Sequence, residues 1–591
     1  MKILLMSLNS KYIHTNLAIH YLNQFANQEI PEVANQIEVK EYTINNEMDN
    51  ILRDIIRNDY DVIFVSAYIW NIDALNLLFS DFRKINRNTK IYFGGPEVSY
   101  DAEVKLSHYA YLDGVLVGEG EVTFVEFIRL IDSEGFEIAE EKTEGIIYRR
   151  NDKIIANRER MLIANLDIVP FPYTNEQLLD NRILYYESSR GCPYSCSYCL
   201  SSADKGVRNF SLDRVFADLE RFLEAKVPQV KFVDRTFNAN KKHAIPILKY
   251  LTERDNGVTN FHFEITASLL NEAYFEVLQK ARPGLFQFEV GIQTTNEDTL
   301  FSIKRPIQFE KVREACKKVI ALKTIHLHVD LIAGLPYEGF DRFLKSFDQV
   351  YEIGAEQLQL GFLKILKGTL IDRQRELHEY IVKEYAPYEV MQSKYLSYSE
   401  MCRLKEIESL VESYYNSGKF KITLAFLISK MKLSPSQFYL KLSDYFLEKS
   451  YFNSPVGVYR LYEILFEFGI SYHFSEALIK DLLKYDYYAA NLKGQKELFN
   501  YVELPQFNQR RLELLKDNSF QAQFFNCSDV PAKQLLKNLE FITLSYDIMT
   551  LIETGFEMLN ENLSVVMFDY HQDSNIKAYR LDENYFTEKG D

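Results

Sequence analysis

Short apolar runs and amphipathic stretches take turns along the first 135 residues. Lys2–Leu8, Ile37–Tyr42, Val62–Ala67, Lys90–Phe93 and Gly114–Val117 read as five strands, and stretches near 16–27, 48–57, 71–86 and 121–131 repeat apolar positions at helical spacing. This alternation predicts a parallel sheet wound on both faces, of the flavodoxin-like kind. Such sheets bind ligands beyond the carboxyl ends of their strands, near the point where the strand order reverses. Three turns fall at those ends: Tyr68-Ile69-Trp70-Asn71, Gly94-Gly95-Pro96-Glu97 and Gly118-Glu119-Gly120-Glu121. Their glycines permit positive φ and close approach of backbone to a ligand.

Residues 136–183 read as a connector. Gly145–Ile155 alternates about Asn151-Asp152 as a β-hairpin does, and Asn165–Tyr173, with Pro170 and Pro172, is a stiffened extended linker. From 184 to 367 the alternation resumes, with strands at 184–188, 229–234, 261–266, 286–291, 325–331 and 357–362. Helices are expected near 211–226, 241–254, 270–281, 308–322 and 340–352. Six such units predict a partial (β/α)6 barrel of TIM type, whose active residues lie at the carboxyl ends of the strands. Beyond 368 the pattern turns helical and aromatic, at Gln374–Tyr385, Ser397–Tyr415, Phe420–Phe446 and Val458–Phe468. Two alternating runs, 563–570 and 575–581, close the chain as a strand pair. The paired tyrosines and lysines of this last region could line a substrate site, but they read first as helix-bundle core, and no chemical motif stands among them. The expected domains are thus 1–135, 136–183, 184–367 and a mostly α-helical 368–591.

Composition narrows the function. With 591 residues the chain exceeds what one core can organise. Its 47% hydrophobic and 26% charged residues are ordinary for a globular protein, and a net charge of −16 disfavours a grip on bulk nucleic acid through the overall field. No run approaches 18 apolar residues, and the apolar start Met1–Leu8 is too short for an export signal, so a cytoplasmic, membrane-free protein is expected. Tyr and Phe number 40 and 42, against a single tryptophan, Trp70.

The sharpest chemistry is Ser189-Arg190-Gly191-Cys192-Pro193-Tyr194-Ser195-Cys196-Ser197-Tyr198-Cys199. The spacing C-x3-C-x2-C gathers three thiolates in one loop, enough for three corners of a cubane iron–sulfur cluster with the fourth iron open. The alternatives are a zinc knuckle or three structural thiols. Structural zinc needs a fourth Cys or His close by, and the loop has none. Cys316, Cys402 and Cys527 are scattered and suggest neither a disulfide framework nor a second cluster.

This loop, with Arg190-Gly191 before it and Tyr198 before its last cysteine, resembles the radical S-adenosylmethionine (SAM) superfamily. The resemblance implies a 4Fe–4S cluster on Cys192, Cys196 and Cys199, SAM bound at the open iron, and Tyr198 near adenine. It implies that an electron from the cluster splits SAM to a radical that abstracts hydrogen from substrate, so that an external one-electron reductant of flavodoxin or ferredoxin type is needed and oxygen is damaging. Further SAM contacts fall on strand ends. They are Asp234 in Asp234-Arg235-Thr236-Phe237, Glu264, Gln293 closing Glu289–Gln293, and Ile332 and Gly334 in Asp330–Glu338. For Glu264 an ordinary strand carboxylate is an equal reading.

The three glycine or aromatic turns upstream resemble the cobalamin-binding domain joined to many radical SAM enzymes, including the magnesium-protoporphyrin ester cyclase-like and class B methylase group. That resemblance implies cobalamin over Gly94, Gly95, Pro96, Glu97, Gly118, Glu119 and Gly120. The Asp-x-His-x-x-Gly signature that supplies a cobalt-ligating histidine is missing, and His14 and His20 stand in another context. Trp70 is the candidate to cover the lower face, against the alternative that it is ordinary core. The resembled function is radical methylation of an unactivated carbon. Its rivals are a cobalamin-assisted cyclase or oxidoreductase that moves no methyl group, and a non-catalytic cobalamin or redox sensor. A small molecule or a peptide remains open as substrate.

Overall fold

The computed structural model describes the chain apart from residues 203–205, 495, 500–503, 505, 526–528, 572–575, 583–584 and 587–591, so Cys527 lies outside the described residues. The chain divides into two compact units. One holds Met1–Ser346, Ile353–Ala355 and Leu360–Met401, and the other Phe347–Glu352, Glu356–Gln359 and Cys402–Asp591. Residues 368–401 therefore cluster with the first unit. The reason is backbone hydrogen bonding of the intervening segment onto the barrel: Leu363 N–H donates to Ala333, Val390 N–H to Leu363 and Ile371 N–H to Ser197. These tertiary bonds also replace the helix expected over 374–385 by turns and a short strand pair, Ile381–Val382 with Val390–Gln392.

The first sheet contains β1 (Ile3–Asn9), β2 (Ile37–Thr43), β3 (Val62–Ser66), β4 (Lys90–Gly94), β5 (Gly114–Leu116), β6 (Ile146–Arg150) and β7 (Lys153–Ala156), in the order β2-β1-β3-β4-β5-β6-β7. Its first five strands are parallel, in flavodoxin-like order, and the order reverses between β1 and β3. Every residue of β1 and β3 is buried, because the two faces carry separate cores. Met6, Val65, Phe79 and Phe93 pack on one side, and Leu5, Phe64, Phe124 and Phe127 on the other. The hairpin placed in the connector is the antiparallel edge of this sheet, β5 pairing with β6 and β6 with β7. It caps a parallel edge whose N–H and C=O groups would otherwise be unpaired.

The barrel strands are β8 (Ile183–Tyr186), β11 (Gln229–Phe232), β12 (Asn260–Ile265), β13 (Phe286–Gln293), β14 (Ile325–Ala333) and β15 (Gln357–Phe362), ordered sequentially across a six-stranded sheet. A separate hairpin, β9 (Ser189–Cys192) with β10 (Gly206–Asn209), follows β8. On β13 and β14 burial alternates strictly. Phe286, Phe288, Val290 and Ile292 are buried with Ile325, Leu327, Val329 and Leu331. The other face offers Gln287, Glu289, Gly291 and Gln293 beside His326, His328 and Asp330. Barrels of this class are usually filled by branched aliphatic layers. This one keeps a polar interior.

The second unit is mostly helical. Lys421–Met431, Pro435–Glu448, Val458–Ser471 and Glu476–Ala489 bury aromatic faces, and Ser434 with Gln437 forms a capping box. Asp486, inside the last of these helices, accepts from the N–H groups of Ile422 and Thr423 at 2.9 and 2.8 Å and so caps another helix from a distance. Asp481 takes the N–H groups of Ser545 and Tyr546 at 2.6 and 3.0 Å. The expected closing strands are Ser564–Asp569 and Lys577–Leu581, joined by Leu539–Leu544 in one antiparallel sheet. Among the described residues no helix is long and apolar enough to cross a membrane.

Candidate active site

The cysteine loop hangs from the β9–β10 hairpin. Cys192 pairs with Gly206 at its base, and Gly191, at φ +93°, stands where a Cβ would lie 2.1 Å from the Gly206 carbonyl oxygen, so only glycine fits. The strand entering the loop is tied to the barrel by Asp234. Its carboxylate accepts from Ser188 N–H at 2.9 Å and from the Ser188 and Ser189 hydroxyls at 2.7 and 2.5 Å. Asp234 is thus buried beneath the loop with its acceptors occupied. Thr236, two residues on, takes the cavity position and lies 3.7 Å from the Cys192 sulfur.

A cavity of about 190 Å³ opens above the barrel strands, lined by all three cluster cysteines, Tyr198, Thr236, Glu264, Gln293, Arg305 and Asp330. Among the described residues no three Cys, His, Asp or Glu groups gather closely enough to hold a single ion. Three cysteines on one cavity wall, with no fourth Cys and no His among the described lining residues, suit a cluster held by three thiolates with one iron left open. The donor set therefore fits a 4Fe–4S cluster.

Arg305, with Arg235 one of two arginines lining this cavity, was missed in the sequence. One guanidinium nitrogen donates to the Cys196 sulfur at 3.6 Å and to the Tyr198 hydroxyl at 3.4 Å, and another donates to the Gly291 carbonyl. The segment before it holds the loop too, since Ser197 N–H donates to Ile303 O at 2.9 Å. A buried guanidinium needs an anion. Here thiols occupy that place, and burial raises the Cys196 thiol while Arg305 opposes the rise.

Three carboxyls complete the floor. Burial, then the negative charge of Glu289, pushes Glu264 up to about 7. Asp330 is raised well above the usual carboxylate range by burial and by Glu289 and Glu264. Glu289 itself is held down to about 2: burial opposes ionisation, but His262 at 3.0 Å and Lys231 at 3.4 Å outweigh it. The floor thus holds one carboxylate stabilised as an anion and two carboxyls pushed toward the neutral form. Asp330 Oδ1 and Gln293 Oε1 are buried without partners in the protein, as groups awaiting a polar ligand would be. A bulge between Gly291 and Gln293, with Gln293 at φ +70°, aims that amide. Gly334 sits apart from this cavity. It packs on Leu363 and Val390, and its carbonyl accepts from Tyr380. Ile332, its neighbour on β14, is likewise outside the lining.

At the first sheet the three turns share one rim. Gly95 has φ +110°, and a Cβ there would meet the Ala67 oxygen at 2.6 Å, whereas Gly118, at φ +81°, faces open space. Gly94 ends β4, Pro96 opens a short helix, and Gly120 opens the helix Gly120–Glu134. Trp70 is 45% exposed, which removes the core reading. Its ring stacks on Tyr68 at 4.3 Å, and its N–H donates to Leu8 O at 3.3 Å, across the point where the strand order reverses. A glycine rim beside an exposed flat aromatic fits a large planar cofactor. The carboxylates of the same motifs are spent inside the protein. Glu97 takes Lys105 at 3.1 Å and the Tyr388 hydroxyl at 2.5 Å, and Glu119 takes Arg190 and Arg208. Of the two nearby histidines, His14 meets the Tyr185 hydroxyl at 2.8 Å and His20 is buried against Gln177.

Comparison with known proteins agrees. Residues 3–128 match the B12 binding domain, 186–350 the Radical SAM superfamily, and 376–568 a protein family of unknown function, DUF4080. An uncharacterized methyltransferase, PH0819, of Pyrococcus horikoshii is 26% identical over 373 residues, covering 61% of this chain and 78% of that protein. The cobalamin-dependent radical SAM methyltransferase TokK of Streptomyces tokunonensis is 24% identical over 342 residues, 54% of this chain and 49% of its own length. Among solved structures, the cobalamin-dependent SAM radical enzyme OxsB with aqua-cobalamin and SAM superposes with a TM-score of 0.58 at 17% identity, over 83% of this chain and 79% of that one. The chain thus carries a B12 binding domain and a radical SAM domain, followed by a C-terminal domain of uncharacterised role.

Proposed function

We propose that this enzyme methylates an unactivated carbon of a small-molecule or peptide substrate. What supports the reading is the rim. Its nearby histidines are engaged with Tyr185 and Gln177, and the exposed flat surface there is Trp70 on Tyr68. A cobalamin seated there would rest on the Gly95 and Gly118 turns beside the Trp70 ring, and would supply a methyl group that a substrate radical could take. When bound, the cluster with SAM supplies a hydrogen-abstracting radical and cobalamin supplies the methyl group. The protein's own part is placement and protection. Arg305 neutralises charge at the Cys196 sulfur, Glu264 and Gln293 offer hydrogen bonds to polar groups in the cavity, and Glu289 stays ionised between His262 and Lys231. An external one-electron reductant of flavodoxin or ferredoxin type is the expected electron source. Free thiols at Cys316 and Cys402 fit a reducing compartment.

The test is isotopic. Reconstituted protein is supplied with SAM bearing a deuterated methyl group and with small-molecule and peptide fractions of its source cell. A product heavier by the labelled methyl group supports methylation. Turnover to an unlabelled product supports the cyclase or oxidoreductase reading instead.

A further inference from the structure

Arg190 stands two residues before the first cluster cysteine and is the register partner of Arg208 across the β9–β10 hairpin. Side chains alternate along a strand, so Arg190 and Cys192 leave the hairpin on the same side. The Arg190 guanidinium is spent on three carboxylates. It meets Glu119 at 3.1 Å, Glu121 at 2.5 Å and Glu187, at the end of β8, at 2.7 and 2.9 Å. Glu119 and Glu121 belong to the rim turn that follows β5. Arg208 adds 3.1 and 2.8 Å contacts to Glu119, whose second oxygen also takes the N–H of Ile163 at 2.7 Å. The side chains of Arg190, Glu119, Glu121 and Glu187 are only 13, 15, 7 and 12% exposed.

We propose that Arg190 is a positioning residue: it fixes the rim of the cobalamin domain to the hairpin that carries the cluster, and so sets the separation of the two cofactors. The reasoning is mechanical and electrostatic. A buried network of three carboxylates and two guanidiniums holds together only in one geometry, and removing one member leaves charges buried and unpaired. The flat five-donor fork of arginine bridges several carboxylates at once, which a lysine ammonium on its flexible stem does not reproduce. The link from rim turn to Cys192 is therefore one side chain and two residues of strand. A reaction that uses both cofactors depends on such placement, because misalignment of about 1 Å costs rate steeply.

This rests on the two-cofactor reading, and the experiment separates them. In cofactor-free protein, hydrogen exchange of the rim amides 118–123 is compared between wild type, Arg190→Gln and Arg190→Lys. Both variants should speed exchange there by at least about tenfold, with β11–β14 unchanged. In reconstituted protein, iron content should be kept while the magnetic interaction between the reduced cluster and cob(II)alamin changes in EPR. Should Arg190→Gln fail to fold, Glu121→Gln, which removes one carboxylate, serves with the same measurements. Unchanged rim exchange, or an unchanged interaction spectrum, overturns the proposal, as does full rescue by lysine. Failure to bind cobalamin would sink the two-cofactor reading, while the exchange comparison still decides the role of Arg190.

Discussion

The guanidinium of Arg305 lies 3.6 Å from the Cys196 sulfur and donates to it. The two residues are 109 apart in sequence, and the contact places a positive donor on one of the three thiols that would hold the cluster. A positive donor at a cluster sulfur favours the reduced, more negative state. Arg305→Gln should therefore lower the midpoint potential of the reconstituted cluster, by about 60 mV for each ~1.4 kcal/mol of differential stabilisation lost. Redox titration followed by EPR measures it. An unchanged potential would remove Arg305 from the tuning of the cluster.

Gly191 carries a simpler expectation. A methyl group there would meet the Gly206 carbonyl in a backbone that already has φ +93°. Gly191→Ala should therefore open the hairpin and strip most of the iron from reconstituted protein, read by iron and sulfide analysis. The control is Gly118→Ala. Its φ of +81° is also left-handed but its surroundings are open, so it should keep the cluster.

Trp70 is the only tryptophan of the chain, so its fluorescence reports on the rim without interference. Cobalamin binding should quench it. Trp70→Ala should weaken cobalamin binding roughly three- to tenfold, as expected for one lost stacking partner at ~0.5–1.5 kcal/mol, and Trp70→Phe should weaken it less. Titration followed by fluorescence and visible absorbance decides the point, and full affinity in Trp70→Ala would place the ligand elsewhere.

Glu41 gives a pH dependence. Its carboxylate is held down to about 2 from an ordinary 4.5: burial opposes ionisation, but His20 at 3.4 Å and Arg182 at 2.6 Å prevail. A depressed folded-state value contributes stability that is present above the unfolded value and lost as pH falls through the folded one. That contribution, at most on the order of 3 kcal/mol, should be full above pH ~4.5 and vanish toward pH 2. Glu41→Gln should then lower the urea midpoint at pH 7 and differ much less from wild type near pH 3. Equal gaps at both pH values would contradict the assignment.

Much of this was legible in the sequence, and the reasons differ by element. The parallel strands of both α/β domains declared themselves because helices cover their outer faces and leave apolar runs such as Leu4–Met6 and Val62–Val65. The cysteine loop was legible because its ligands are local. Glu289 and Asp330 were legible only as ends of strand motifs and Arg305 was not singled out, because the cavity gathers them from segments far apart in the chain. Glu97 and Glu119 are a different case. Charged residues in a ligand-type turn suggest contact with a ligand, yet their carboxylates are taken by Tyr388, Lys105, Arg190 and Arg208. Asp234 likewise supports the loop from below. The hairpin at 146–156 was seen, but its strand periodicity carried no sign of which sheet it would join.

The most direct test of the central claim is SAM cleavage. Anaerobically reconstituted protein reduced with dithionite should show cluster absorbance and convert SAM to 5′-deoxyadenosine, and Cys196→Ala should abolish both. Cleavage retained in Cys196→Ala, or absent from wild type with a full complement of iron, would contradict the account.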